Sequence, residues 1–178
     1  MLHSFHLRDY AEDISITIDS LVSQPVLISH SMGGMVIQKF LEHETVPGAA
    51  FLTTIPIAGV GIAGFEIAMR SPLMYSQLLM VQNLGSQYAT PGFAREALFS
   101  HDIKNSVLFK YQPQFQPEST SAIWDAAFFD IPVPARVNKV PMLFVGAEND
   151  QLFSHNQIRQ TADVFGCEAE FIPNTAHM

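Results

Sequence analysis

Cysteine and basic residues are scarce in this chain, and each shortage excludes a class of protein. Cys167 is the one cysteine among 178 residues, which excludes an intrachain disulfide framework and a Cys-rich zinc site. Nine Lys and Arg residues against 17 Asp and Glu residues leave a net charge of −8, without the basic clusters of a nucleic-acid-binding protein. The lone cysteine is typical of a reducing compartment, so a cytoplasmic location is expected.

Targeting and membrane segments are also missing from the sequence pattern. The first residues contain no basic stretch followed by an apolar one, so no secretory signal is predicted. The uncharged stretch 45–65 is long enough to cross a membrane, but Pro47, Pro56 and four glycines interrupt it. We therefore predict a buried strand that runs into a loop, within a single packed domain that is 48% hydrophobic.

Helical and strand patterns alternate at both ends of the chain. Helical stretches show apolar residues three and four positions apart, and the strands are short apolar runs. In chain order the predicted elements are a helix at 9–23, a strand at 26–28, a helix at 35–41, a strand at 48–52, a strand at 142–145, a helix at 154–165 and a strand at 168–172. This order predicts an α/β fold with a parallel sheet of about four strands flanked by helices.

The middle of the chain, residues 57–135, breaks this alternation. Ser71-Pro72 and Thr90-Pro91 each place an N-cap residue before a proline, which predicts that two helices begin there. A helical insertion within an α/β sheet is the simplest account. We accordingly divide the chain into a first core part (1–56), a helical insertion (57–135, ending in a stiff linker at 131–134) and a second core part (136–178).

One short motif carries chemistry. Residues 29–33 read Ser-His-Ser-Met-Gly and lie between a predicted strand and a predicted helix. A serine at such a junction sits on a sharp turn between small residues, and the helix contributes the backbone N–H of Met32 to an oxyanion formed at Ser31. This resembles the nucleophile elbow of the α/β-hydrolase superfamily, Gly-x-Ser-x-Gly, with Ser29 in place of the first glycine.

The resemblance extends to the order of the remaining catalytic groups. The superfamily places its serine first, then an acid, then a histidine, each after a strand. Here Asp150 follows the predicted strand 142–145 and His177 follows the predicted strand 168–172. The resemblance implies that Ser31 is the nucleophile, His177 the general base and Asp150 the residue that orients it. Glu148, two residues before Asp150, is the alternative acid.

The other notable side chains are predicted to have structural roles. We expect His30 to point to the other side of the strand end and to be structural, and Cys167 to serve packing. Met69, Met74 and Met80 are expected in the core of the insertion, which the resemblance identifies as a cap. No metal site and no cofactor are predicted, because the remaining histidines lack metal-ligand spacing. They are His3, His6, His43, His101 and His155.

Two features of the superfamily have no counterpart in the sequence. Its second oxyanion donor comes from a loop after an earlier strand, usually marked by His-Gly, and nothing before Asp9 supplies one. A final helix follows its histidine, whereas this sequence ends at Met178. The expectation is a chain that corresponds to the C-terminal two-thirds of a hydrolase. The strand at 26–28 would then expose one edge and promote self-association.

The resemblance implies hydrolysis of a carboxylic ester through an acyl-enzyme on Ser31. The apolar insertion favours a hydrophobic acyl group or a small aromatic ester over a charged substrate. Two alternatives stay open. One is another triad activity, such as that of a thioesterase, a C–C hydrolase or a perhydrolase. The other is an incomplete hydrolase that acts as a non-catalytic binding module.

Overall fold

The computed structural model describes residues 4–178, and a four-stranded parallel sheet lies at its centre. The strands are β1 (Leu27–His30), β2 (Ala49–Leu52), β3 (Met142–Ala147) and β4 (Ala169–Ile172), and they lie side by side in this order. All neighbouring pairs are parallel. The carboxyl ends of the strands therefore meet at one edge of the sheet. The predicted fold, a parallel sheet of about four strands flanked by helices, is confirmed.

The helices of the described residues fall before β1 and between the strands. They are α1 (Leu7–Asp19), α2 (Met32–Phe40), α3 (Val60–Arg70), α4 (Pro72–Leu84), α5 (Pro91–Ala97), α6 (Asn105–Tyr111), α7 (Thr120–Trp124) and α8 (His155–Val164). Helices α3 to α7 occupy the connection between β2 and β3. A π-helical turn, Asp125–Phe129, extends α7.

The main core lies between one face of the sheet and helices α1, α2 and α8. Phe51 and Phe144 are fully buried there, and their rings stack with centroids 4.6 Å apart. The ring of Phe165, just after α8, stacks on Phe144 at 5.8 Å. Burial of one phenylalanine side chain contributes about 1.5–3 kcal/mol, so this stack anchors the two central strands.

The opposite face of the sheet is open to solvent. Ile28 and Leu143 lie in register with Ala50 on this face and are 72% and 45% exposed. Parallel sheets are usually covered on both faces because their strands are apolar throughout. Strand β1 is also an edge strand, since it pairs with β2 alone among the described residues.

The connection between β2 and β3 builds a second, smaller core. Ser71 and Thr90 cap α4 and α5 by accepting hydrogen bonds from the backbone N–H groups three residues later, so both predicted helix starts are confirmed. Of the three methionines expected in this core, Met74 is buried, but Met69 and Met80 are 72% and 45% exposed. That part of the prediction is wrong, because α3 and α4 turn these two side chains toward solvent.

Several element boundaries differ from the predicted ones. Helix α2 begins at Met32 rather than residue 35, since the turn after β1 narrows to the single residue Ser31. Helix α1 ends at Asp19, four residues before the predicted end at residue 23. The predicted loop after residue 56 gives way to α3 within four residues. Among the described residues, none of the helices combines the length and the apolar composition needed to cross a membrane.

Candidate active site

Ser31 occupies a strained turn between β1 and α2. Its φ of +52° lies in a region that residues with a side chain seldom adopt, at a cost of about 1–3 kcal/mol. Main-chain hydrogen bonds hold the turn: the Ser31 N–H donates to the Leu52 carbonyl at 3.1 Å, and the Ser31 carbonyl accepts from Gly34 at 3.0 Å and Ile55 at 3.2 Å. The neighbouring strand thus fixes the serine at the carboxyl end of β1.

Small residues let α2 approach the sheet at this point. A Cβ atom on Gly34 would lie 2.0 Å from the Oγ1 atom of Thr54, so no side chain fits there without displacement. A Cβ atom on Gly33 would meet the Cβ of Ser29 at an ordinary 3.6 Å. Ser29, which replaces the first glycine of the elbow motif, is buried and donates its hydroxyl proton to the Ala50 carbonyl at 3.0 Å.

Asp150 and His177 form a buried pair at the same edge of the sheet. The Nδ1 atom of His177 lies 2.9 Å from Oδ2 of Asp150, and His177 is only 3% exposed. The other carboxylate oxygen accepts the backbone N–H groups of Leu152 at 2.8 Å and Phe153 at 3.0 Å. With its carboxylate held from both sides, Asp150 fixes a proton on Nδ1 and leaves Nε2 of the imidazole as the basic atom.

Glu148, the alternative acid, lies elsewhere. Its carboxylate accepts the N–H of Asn174 at 2.7 Å, and its carbonyl oxygen lies 2.9 Å from Nε2 of His155. These contacts stabilise the loops that carry Asp150 and His177, whereas the structure brings Asp150 itself into contact with His177.

Ser31 and His177 are linked through neighbouring residues. Nε2 of His30, the residue before Ser31, lies 2.7 Å from the carbonyl oxygen of His177. Within residues 4–178 the Ser31 hydroxyl makes no hydrogen bond to the His177 imidazole. Such contacts are often long in ligand-free enzymes and tighten only when substrate binds.

The sequence predicts that His30 points away from the site, and this prediction is wrong. His30 lies beside His177. Its ring centroid lies 4.8 Å from that of His177, at an interplanar angle of 55°. Partial burial lowers the pKa of His30 below its ordinary value, the hydrogen bond to the His177 carbonyl raises it, and the nearby His177 imidazole lowers it. Sequence reasoning missed this contact because it joins residues 147 positions apart.

Outside this pair, His6 has a structural contact. His6 contacts the buried Asp125 at 2.8 Å and ties the start of α1 to the π-helical turn. His3 lies outside the described residues. Across residues 4–178, no three His, Cys, Asp or Glu side chains converge in the way metal ligands do.

An apolar cavity of about 370 Å³ opens beside Ser31. Helices α3 and α4 form much of its wall, and Met32, Leu152 and Phe153 complete it next to the serine. Gln82, Asn83 and Glu118 are among the polar residues of the lining. The dimensions and lining suit a small, largely apolar ligand.

Solved structures of esterases and a lactonase share this architecture. An esterase from Thermogutta terrifontis superposes with a TM-score of 0.71 at 16% identity, and the match covers 99% of this chain and 67% of that chain. The enol-lactonase from Burkholderia xenovorans LB400 gives 0.70 at 14% identity (97% and 66%). The esterase EaEST from Exiguobacterium antarcticum gives 0.70 at 17% identity (97% and 67%).

This chain therefore spans about two thirds of the length of each of these three proteins. No curated protein matches the sequence significantly. The family model described as "Alpha/beta hydrolase family" matches residues 2–178. Because that match covers nearly the whole chain, this protein belongs to the alpha/beta hydrolase family.

Proposed function

We propose that this protein is a serine hydrolase that cleaves a carboxylic ester with a hydrophobic acyl group or a small aromatic group. The observation that carries the proposal is the strained Ser31 turn at the same sheet edge as the buried Asp150–His177 pair. A residue held at φ +52° between a strand and a helix presents its hydroxyl beyond the sheet. A histidine whose Nδ1 faces a carboxylate is prepared to take a proton at Nε2.

The reaction follows from these positions. His177 accepts the hydroxyl proton of Ser31 at Nε2 while the serine oxygen attacks the ester carbonyl carbon. The backbone N–H of Met32, at the start of α2, donates to the oxyanion of the tetrahedral intermediate. Collapse of this intermediate breaks the ester C–O bond, and the imidazolium protonates the departing alcohol. Water, deprotonated by His177, then hydrolyses the acyl-enzyme and regenerates Ser31.

The helical connection supports the substrate assignment. Its helices α3 and α4 line the cavity beside Ser31 with apolar side chains such as Ile67 and Leu78, so residues 57–135 act as a cap over the site. Among the described residues that line the cavity, Glu118 is the one charged residue. A neutral, apolar acyl group loses little on entering such a cavity, whereas an unpaired charge loses its hydration.

Labelling with a fluorophosphonate probe tests this proposal. The purified chain should be labelled at Ser31, and Ser31→Ala should abolish labelling while changing the free energy of unfolding by less than about 1 kcal/mol. Ser23→Ala, which removes an exposed hydroxyl outside the site, is the matched control and should label like the wild type. Labelling of Ser31→Ala equal to that of the wild type would refute the nucleophile assignment.

A substrate panel separates ester hydrolysis from the alternatives. We expect p-nitrophenyl butyrate or hexanoate to be hydrolysed faster than a short-chain thioester, a C–C cleavage substrate or a peracid-forming mixture. A chain that binds apolar esters without labelling or turnover would instead be a binding module. Faster turnover of the thioester would reassign the reaction within the same triad chemistry.

A further inference from the structure

His177 lies outside regular secondary structure, so other contacts must hold it. It follows β4 by five residues, in a segment without helix or strand. Asp150 orients the imidazole at Nδ1, and the Phe153 ring packs edge-on against it at 5.3 Å. These contacts determine how the ring is turned. They leave open what fixes the distance between the main chain of His177 and Ser31.

The carbonyl oxygen of His177 accepts hydrogen bonds from two neighbouring strand ends. Nε2 of His30, the last residue of β1, lies 2.7 Å from it, and the Thr53 hydroxyl, directly after β2, donates to it at 3.3 Å. A carbonyl oxygen can only accept, so His30 must carry a proton on Nε2. His30 is bonded directly to Ser31, so its side chain connects the nucleophile position to the main chain of His177 through a single hydrogen bond.

Thr53 is itself held in an unusual conformation. Its φ is +41°, which is rare for a residue branched at Cβ, and its N–H donates to the Val145 carbonyl at 2.7 Å. The buried hydroxyl points at the His177 carbonyl oxygen as a result. Strain of this kind persists where the surroundings impose it, and it occurs often at functional sites.

We propose that His30 and Thr53 are positioning residues that hold the main chain of His177 at reach of Ser31. His30 is the stronger anchor, because its contact is shorter and it adjoins the nucleophile. Its imidazole is partly buried, but the residue as a whole is exposed to solvent, so its replacement leaves no enclosed cavity. The inference rests on the proposed function, since the spacing affects turnover only if Ser31 and His177 react together.

Three substitutions of His30 test whether a side-chain N–H must reach the carbonyl oxygen of His177. His30→Leu removes the donor and should lower kcat for p-nitrophenyl butyrate by about 10- to 100-fold with KM unchanged, as expected for a misplaced base. His30→Gln places an amide N–H where Nε2 lies and should restore most of the rate. His30→Asn has the same amide on a shorter side chain and should not. His43→Leu, at an exposed histidine after α2, is the control and should behave like the wild type.

Proton NMR gives a readout that does not depend on turnover. In the wild type, the Nδ1–H proton of His177 should be protected by Asp150 and visible downfield. In His30→Leu it should exchange faster and broaden, and His30→Gln should restore it. Thr53→Val should cause a smaller loss than His30→Leu, since the Thr53 contact is longer.

The outcomes separate the two proposals. A His30→Leu variant that is labelled and turns over at the wild-type rate overturns the positioning role and leaves the hydrolase function intact. A wild-type chain that is never labelled at Ser31 overturns the hydrolase function, and the NMR comparison then decides the positioning role alone. Equal protection of the His177 Nδ1–H proton in the wild type and in His30→Leu would overturn the positioning role. Loss of this protection in His30→Leu, with protection kept in the wild type, would support it.

Discussion

Replacing Asp150 by Asn separates the chemistry of the site from its shape. The side-chain oxygen of Asn can still accept the N–H groups of Leu152 and Phe153, which Oδ1 of Asp150 accepts at 2.8 and 3.0 Å. The amide nitrogen then faces Nδ1 of His177, where the carboxylate now lies at 2.9 Å. Since both atoms would be donors, His177 must release the Nδ1 proton and carry it on Nε2 instead.

That tautomer cannot accept a proton from Ser31. Substitution of the acid in a triad of this kind costs about 10⁴ in turnover, which corresponds to roughly 5.4 kcal/mol of barrier height. Stability should fall much less, because the backbone contacts of the loop survive. We therefore expect Asp150→Asn to fold and melt close to the wild type, with hydrolysis of p-nitrophenyl butyrate reduced by about four orders of magnitude.

Glu148→Gln is the matched control for this experiment. Glu148 accepts the N–H of Asn174, and a glutamine oxygen can do the same, so the loop should persist and the rate should change little. An Asp150→Asn variant within tenfold of the wild-type rate would refute the reasoning. So would a large loss in Glu148→Gln with none in Asp150→Asn.

Three further predictions concern stability and association. Gly34→Ala should destabilise the fold by about 1–3 kcal/mol in urea unfolding, because its Cβ would overlap a buried threonine, whereas Gly33→Ala should cost less. Sedimentation velocity should show that the chain self-associates through the exposed edge of β1. Ile28→Lys should weaken this association more than Leu143→Lys, which lies on the interior strand β3. A monomeric wild type would contradict the prediction. Lys39→Met should lower the free energy of unfolding by roughly 3 kcal/mol, because it leaves the buried carboxylate of Glu42, now 2.9 Å from the Lys39 ammonium, without a charge partner. An unchanged unfolding midpoint would contradict this.

The sheet was accessible to sequence reasoning, and the helical connection less so. Each strand is a short apolar run, and in each flanking helix the apolar residues recur every three or four positions. Such patterns are local, which is why the strands of the parallel sheet agree with prediction to within two residues. Helix α3 escaped prediction, because its glycines and apolar residues resemble a loop after a buried strand and its helical state depends on packing against α4.

The exposed methionines show a further limit of local patterns. Met69 and Met74 have the same composition signal, yet one is 72% exposed and the other 2%. Which face of a helix is buried depends on the elements that pack against it, and those contacts are tertiary.

The site divides along the same line. The turn at Ser31 could be predicted from the sequence, since a small-residue motif between a strand and a helix is a local signal. The chain order of serine, acid and histidine could be read from the sequence as well. Two contacts depend on how distant parts of the chain pack: Asp150 rather than Glu148 contacts His177, and His30 turns toward the His177 carbonyl. These contacts join residues 27 and 147 positions apart, and their distances depend on the packing of strands and loops that no local pattern encodes.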